Sequence, residues 1–202
     1  GDIKNYINNN NIVVDPAGTS IETGYWRGSN VSGAIYEELK IEGESIKPEH
    51  NLETIKKYTE VCHNKFDNDI DIIHVHSPDG KVDEYKNKKY DFKQALKNSY
   101  KNIFNKYLEI NKMNKQLILV QISGDLFAGN FKANMPEFTI EAINEGFRDS
   151  NLNTQDKNYD IILVNNQDKI VTRLNEEQRK YKNSSSTSIC KLLELYNPTK
   201  KR

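Results

Sequence analysis

Gly28-Ser29-Asn30-Val31-Ser32-Gly33-Ala34-Ile35-Tyr36 follows the apolar run Ile12-Val13-Val14. The run reads as a short buried strand, and the Gly- and Ser-rich stretch reads as a loop. Val31, Ala34, Ile35 and Leu39 are then spaced for one apolar helix face. Strand, small-residue loop and helix in that order place unpaired backbone N–H groups at a helix N-terminus. Such a terminus carries partial positive charge and binds phosphate. The expectation is a diphosphate-containing ligand held over this turn.

Working outward, apolar runs suggest further buried strands at 70–76, 117–122 and 160–165, beside the first at 12–15. Leu117-Ile118-Leu119-Val120 and Ile161-Ile162-Leu163-Val164 show no polar alternation, as in strands covered on both faces. Between them Phe92, Ala95, Leu96, Ser99, Ile103 and Tyr107 repeat at helical spacing. Near 134–147, Asn134 and Glu137 resemble a capping box around Pro136, with Ala142, Ile143 and Phe147 on the buried side. Ser184-Ser185-Ser186 reads as a flexible connection. A final helix is expected on Ile189, Leu192, Leu193 and Tyr196, stopping before Pro198. The segment 42–69 resists assignment, and the charged stretch 77–91 reads as a surface excursion. Strands alternating with helices indicate one three-layer α/β/α domain over 1–202, with 184–202 its C-terminal helix and tail. The sheet is expected to be mixed, mainly parallel, with about six strands.

The chain has 202 residues, with Lys+Arg and Asp+Glu both totalling 29. That balance gives no support for a nucleic-acid backbone binder, which needs a clustered basic excess. Lys86, Lys88 and Lys89 form a local cluster of the kind that solvates a surface. Two cysteines, Cys62 and Cys190, cannot build a disulfide framework, and a reducing, cytoplasmic compartment is the simpler expectation. There is no apolar run long enough for a membrane span, and no signal peptide is read. His63, His74 and His76 near Cys62 do not match a zinc spacing, so core histidines are expected and no metal. The Gly-x-Gly-x-x-Gly spacing of dinucleotide dehydrogenases is missing.

Read in order, the segments resemble a macrodomain, the ADP-ribose-binding α/β module. Gly1-Asp2-Ile3-Lys4 is similar to the family's opening Gly-Asp-Ile-Thr, and Ile12-Val13-Val14-Asp15-Pro16-Ala17-Gly18 to its Ile-Val-Asn-Ala-Ala-Asn strand end. Gly28 to Tyr36 resembles Gly-Gly-Val-Asp-Gly-Ala-Ile-His, and Ile72-Ile73-His74-Val75-His76-Ser77-Pro78 resembles Val-Ile-His-Thr-Val-Gly-Pro. Leu96 to Asn102 resembles the helix carrying Tyr-x-Asn. Ile122-Ser123-Gly124-Asp125-Leu126-Phe127-Ala128-Gly129 resembles the second phosphate loop, Ser-Thr-Gly-Ile-Tyr-Gly. No single segment is specific; their order is, over about four-fifths of the chain.

The resemblance implies roles for positions in this sequence. Asp2 would accept from the adenine amino group, and the Ile3 backbone would contact the ring. Ala17 and the loop of Gly28, Ser29, Asn30, Val31, Ser32 and Gly33 would wrap the diphosphate. Ser123, Gly124, Leu126, Phe127 and Ala128 would close over it from the other side. Phe127 either packs on the distal ribose or is an ordinary core aromatic. Asn165 and Asn166 stand where the family usually places an aromatic on adenine, so the base would be held either more loosely or by Asn amides.

The chain also departs from the family. Family hydrolases commonly have Asn at the position of Gly18 and Asp at that of Ser32. Both are missing here, which implies an unusual linkage or substrate if there is turnover. Asp15 ends a strand at the mouth of the expected cleft, and Asp125 lies in the second loop. Two carboxylates near one anomeric carbon could divide positioning and base roles. Otherwise Asp15 caps a turn before Pro16 and Asp125 is a loop residue. Trp26 is the only Trp and could stack on a sugar or pack in the core, and Arg27 could pair with a phosphate. The resemblance implies an ADP-ribosyl hydrolase, a non-catalytic reader, or a retained fold with another nucleotide or protein partner. The ligand would be ADP-ribose, free or on mono-ADP-ribosylated protein, with no cofactor, no membrane or nucleic-acid partner, and a monomeric chain.

Overall fold

The computed structural model describes residues 2–16, 30–39, 55, 57–111, 113–155, 159–184 and 193–195. The strands are β1 (Asn11–Asp15), β2 (Val61–Phe66), β3 (Ile70–Val75), β4 (Gln116–Val120), β5 (Ile161–Val164) and β6 (Leu193–Leu195). The helices are α1 (Asn30–Glu38), α2 (Lys89–Ile110), α3 (Met135–Arg148) and α4 (Asp168–Ser184). The strands form one six-stranded sheet in the order β2-β3-β1-β4-β5-β6. Neighbours from β3 to β6 are parallel, and β2 pairs antiparallel with β3 at the edge. Helices flank this sheet as a three-layer α/β/α sandwich, with α3 packed on both α2 and α4. No helix among the described residues is long and apolar enough to cross a membrane.

The central strands form where uninterrupted apolar side chains need cover on both faces. Ile12, Val13, Val14, Ile72, Ile73, Leu117, Ile118 and Leu119 are almost wholly buried. Each such side chain contributes about 1.5–3 kcal/mol of transfer free energy. On α2 the expected face is the buried one: Phe92, Ala95, Leu96, Ser99, Ile103 and Tyr107 all point inward. Gly146 lets α3 approach α2 closely, since a Cβ there would sit 2.8 Å from the Lys97 carbonyl oxygen.

Three readings need correction, and the segment left unassigned is resolved in part. Within 42–69 lies a strand, β2, whose burial alternates along Val61–Phe66 because it is an edge strand. Leu193 lies in β6, parallel to β5, and not in a final helix. Pairing with an open sheet edge outweighs a helical spacing of leucines there. The helix on that side is α4, whose sparse buried stripe of Val171, Leu174 and Gln178 is easily lost among its charges. Asn134 makes no side-chain capping bond, because a 3-10 helix over Gly129–Asn134 runs straight into α3. In 77–91, only the later part is superficial; residues 76–80 are buried.

Candidate functional site

β1 is the first strand, yet it sits mid-sheet. The chain builds β3 and β2 on one side of it and β4, β5 and β6 on the other. The crossing from one side to the other makes a topological switch point between β1 and β4. Open α/β sheets place ligand crevices at the carboxyl ends of strands flanking such a point. A cavity of about 470 Å³ lies there. Pro16 follows β1, Gln121 follows β4, and Val164 ends β5; all three line it.

The first turn of α1 contributes Asn30, Val31 and Ser32 to the wall. Asn30 starts the helix with a left-handed φ of 61°, a conformation that asparagine tolerates. The helix thus begins at the residue directly after the Gly28-Ser29 pair in sequence. Its opening N–H groups have no intrahelical carbonyl to bond. Gly33, expected in the loop, is instead inside α1 and is not a lining residue. Met135 and Pro136 bring the start of α3 to the same cavity, and Gln167 and Ile170 bring that of α4. Helix N-termini from three elements therefore face one space, a field that favours an anion.

The second loop supplies Ser123, Gly124, Asp125, Leu126 and Phe127. It is tied to the segment after β3 and, just before it in sequence, to α2. Ser123, at φ 56°, donates from Oγ to the Pro78 carbonyl at 2.6 Å. The Gly80 amide donates to the Phe127 carbonyl at 2.8 Å. Tyr100, fully buried on α2, donates to the Val120 carbonyl at 2.8 Å and accepts from the Ile122 amide at 3.2 Å. Gly124 is held close to Gln121: a Cβ there would meet Oε1 at 2.6 Å. Ala128 is fully buried and packs under the loop, so it is scaffold and not lining. Phe127 lines the cavity and carries the Lys81 ammonium 5.5 Å from its ring centre.

Asp2 and Ile3 close another side of the cavity. Asp2 Oδ1 accepts from the Lys4 amide at 3.1 Å and so starts the 3-10 turn Ile3–Tyr6, whose Ile3 is buried. Asn165 and Asn166 line the end next to α4, and Asn165 Oδ1 accepts from the Gln167 amide at 2.9 Å. Ala17, Gly28 and Ser29, with Gly18, Trp26 and Arg27, lie outside the described residues.

Asp15 is placed differently from the expectation. It is completely buried and is not a lining residue. Register sets it directly beside His74 on β3. Its Oδ2 lies 2.9 Å from His74 Nδ1 and accepts from the Tyr36 hydroxyl of α1 at 3.2 Å. Burial first, then the adjacent carboxylate, hold the Tyr36 phenol well above its ordinary value of 10.0. This network joins β1, β3 and α1 behind the wall. The carboxylates of the wall are Asp125 and Asp2 among the described residues.

Lys132 was invisible to the motif reading. It follows the second loop and pairs with Asp125 at 2.5 Å. It is the cationic side chain of the wall among the described residues. His76 is buried against Tyr58, and His63 bonds Asp71 at 2.7 Å, so these histidines serve the core and the β2-β3 pair. Among the described residues no three His, Cys, Asp or Glu side chains gather as a metal site requires.

The fold can be compared with solved structures. The Oceanobacillus iheyensis macrodomain with MES bound superposes with a TM-score of 0.64 at 16% identity, covering 92% of this chain and 90% of that one. The chain has the macrodomain fold. A point mutant of the same macrodomain with ADPR matches at TM-score 0.55 and 17% identity, over 92% and 91% of the two chains. An alphavirus chain, P23pro-zbd, matches at TM-score 0.64 and 15% identity over 93% of this chain. This chain spans 23% of that longer one. At such identities the likeness is one of macrodomain fold. No family model and no curated relative matches the sequence.

Proposed function

We propose that the cavity binds ADP-ribose, free or attached to a protein side chain. The observation that carries this reading is the meeting of Asn30-Val31-Ser32 with Ser123 to Phe127 around one cavity. Main-chain amides from both would hold the diphosphate, aided by the helix N-termini. Asp2 and Ile3 would take the adenine, flanked by Asn165 and Asn166 in place of an aromatic. Phe127 would pack on the distal ribose. The macrodomain fold and the ADPR-bound neighbour support this assignment. Calorimetry with ADP-ribose tests it: saturable binding at micromolar to low-millimolar ligand is expected, and no heat at millimolar ligand refutes it.

Binding without turnover accords with Asp15 being withdrawn into the core. One observation favours a second reading, hydrolysis: Asp125 is a carboxylate of the cavity wall. It would take a proton from water as the oxygen attacks the anomeric carbon. The bond to the modified side chain breaks, and the leaving atom is protonated. Incubation with mono-ADP-ribosylated protein separates the two. Released ADP-ribose supports hydrolysis, and retained label with intact binding supports the reader.

A further inference from the structure

Asp125 and Lys132 face the same cavity and are bonded to each other, Oδ1 to Nζ at 2.5 Å. Asp125 sits near the tip of the second loop, and Lys132 in the 3-10 turn that follows it. The loop is anchored through Ser123 and Phe127, which bracket Asp125 in sequence. The two side chains are 50% and 69% exposed. Solvent and salt screen such a pair, so breaking it costs little. Lys132 is also the one cationic side chain among the described lining residues. An anion entering the cavity therefore finds that charge already taken by Asp125.

We infer that the pair is a latch opened by the ligand's phosphates. The ammonium of Lys132 exchanges the Asp125 carboxylate for a phosphate oxygen. Asp125, released, turns towards the remainder of the ligand. The latch rests on the diphosphate reading above.

The test is calorimetric titration of ADP-ribose and of inorganic pyrophosphate into wild type, Asp125→Asn, Asp125→Glu and Lys132→Gln. Both positions are exposed, and unchanged thermal unfolding verifies the fold. Asp125→Asn is expected to bind both ligands about fivefold more tightly, and Lys132→Gln about fivefold more weakly. Asp125→Glu, which keeps the charge, should gain less than Asp125→Asn. The gain in Asp125→Asn should shrink as salt rises. Wild-type binding with no gain in Asp125→Asn overturns the latch and leaves the ADP-ribose reading standing. Absence of wild-type binding to either ligand overturns both.

Discussion

Gly80 and Gly129 stand back to back. A Cβ on Gly129 would come within 2.4 Å of the Gly80 carbonyl oxygen, and one on Gly80 within 2.8 Å of the Ala128 carbonyl oxygen. Gly129 also has φ +53°, where a side chain is strained. This contact presses the second loop onto the segment after β3 and so fixes one wall of the cavity. Gly129→Ala should therefore cost about 1–3 kcal/mol from backbone strain, and more from the clash. Urea denaturation measures the loss. An unchanged midpoint would show that the loop does not need this approach.

Tyr36→Phe removes one hydroxyl from the buried network around Asp15. Asp15 Oδ1 has no hydrogen-bond partner among the described residues, so the carboxylate depends on Oδ2 for its bonds. Loss of a donor to a buried acceptor should destabilise by about 1–3 kcal/mol. The first turn of α1 should also loosen, with weaker ADP-ribose binding. Equal stability of the variant and wild type would mean the network is not holding α1.

A second buried charge cluster lies at the other end of the strands. Lys115 Nζ reaches Asp71 Oδ2 at 2.6 Å and donates to the Asp69 carbonyl at 3.0 Å, while Asp71 Oδ1 bonds His63. Lys115→Met would strand a mostly buried carboxylate and should cost about 3–5 kcal/mol. Lys115→Met combined with Asp71→Asn should recover part of that loss, because no uncompensated charge remains. Chemical denaturation of the three proteins checks this. A double variant no more stable than Lys115→Met would contradict it.

Alkaline pH should weaken the fold. Burial pushes Tyr36, Tyr85, Tyr100 and Tyr107 above the ordinary phenol value of 10.0. Unfolded tyrosines ionise near that value, whereas the folded ones stay protonated. The unfolded state thus binds fewer protons above it, and stability falls as pH rises. Stability from these groups is fully present below pH 10 and is lost progressively above it. Thermal unfolding followed from pH 8 to about 11.5 should show a falling midpoint. A flat profile would mean that these phenols ionise in the folded protein.

The sheet was legible because its central strands are uninterrupted apolar runs, a signal that survives without tertiary information. Edges were harder. Val61–Phe66 carries His63, Asn64 and Lys65, which suit an edge strand but blur the alternation. β6 has three residues, too few to outweigh the helical spacing around them in sequence. Of the two small-residue stretches, Ser123 to Phe127 stand at the cavity, whereas Asn30 to Gly33 open α1 and Gly28 and Ser29 lie outside the described residues. Asp15 was not, because only register with His74 and the reach of Tyr36 reveal that it points into the core. Lys132 escaped for the same reason: its pairing with Asp125 belongs to the folded loop.

The central claim is that a diphosphate is gripped between the first turn of α1 and the loop from Ser123 to Phe127. A crystal structure of the complex with ADP-ribose tests it most directly. Phosphate oxygens within hydrogen-bond distance of backbone amides from both segments are the expected result. A ligand lodged elsewhere, or contacting one segment while the other stays remote, would contradict the account.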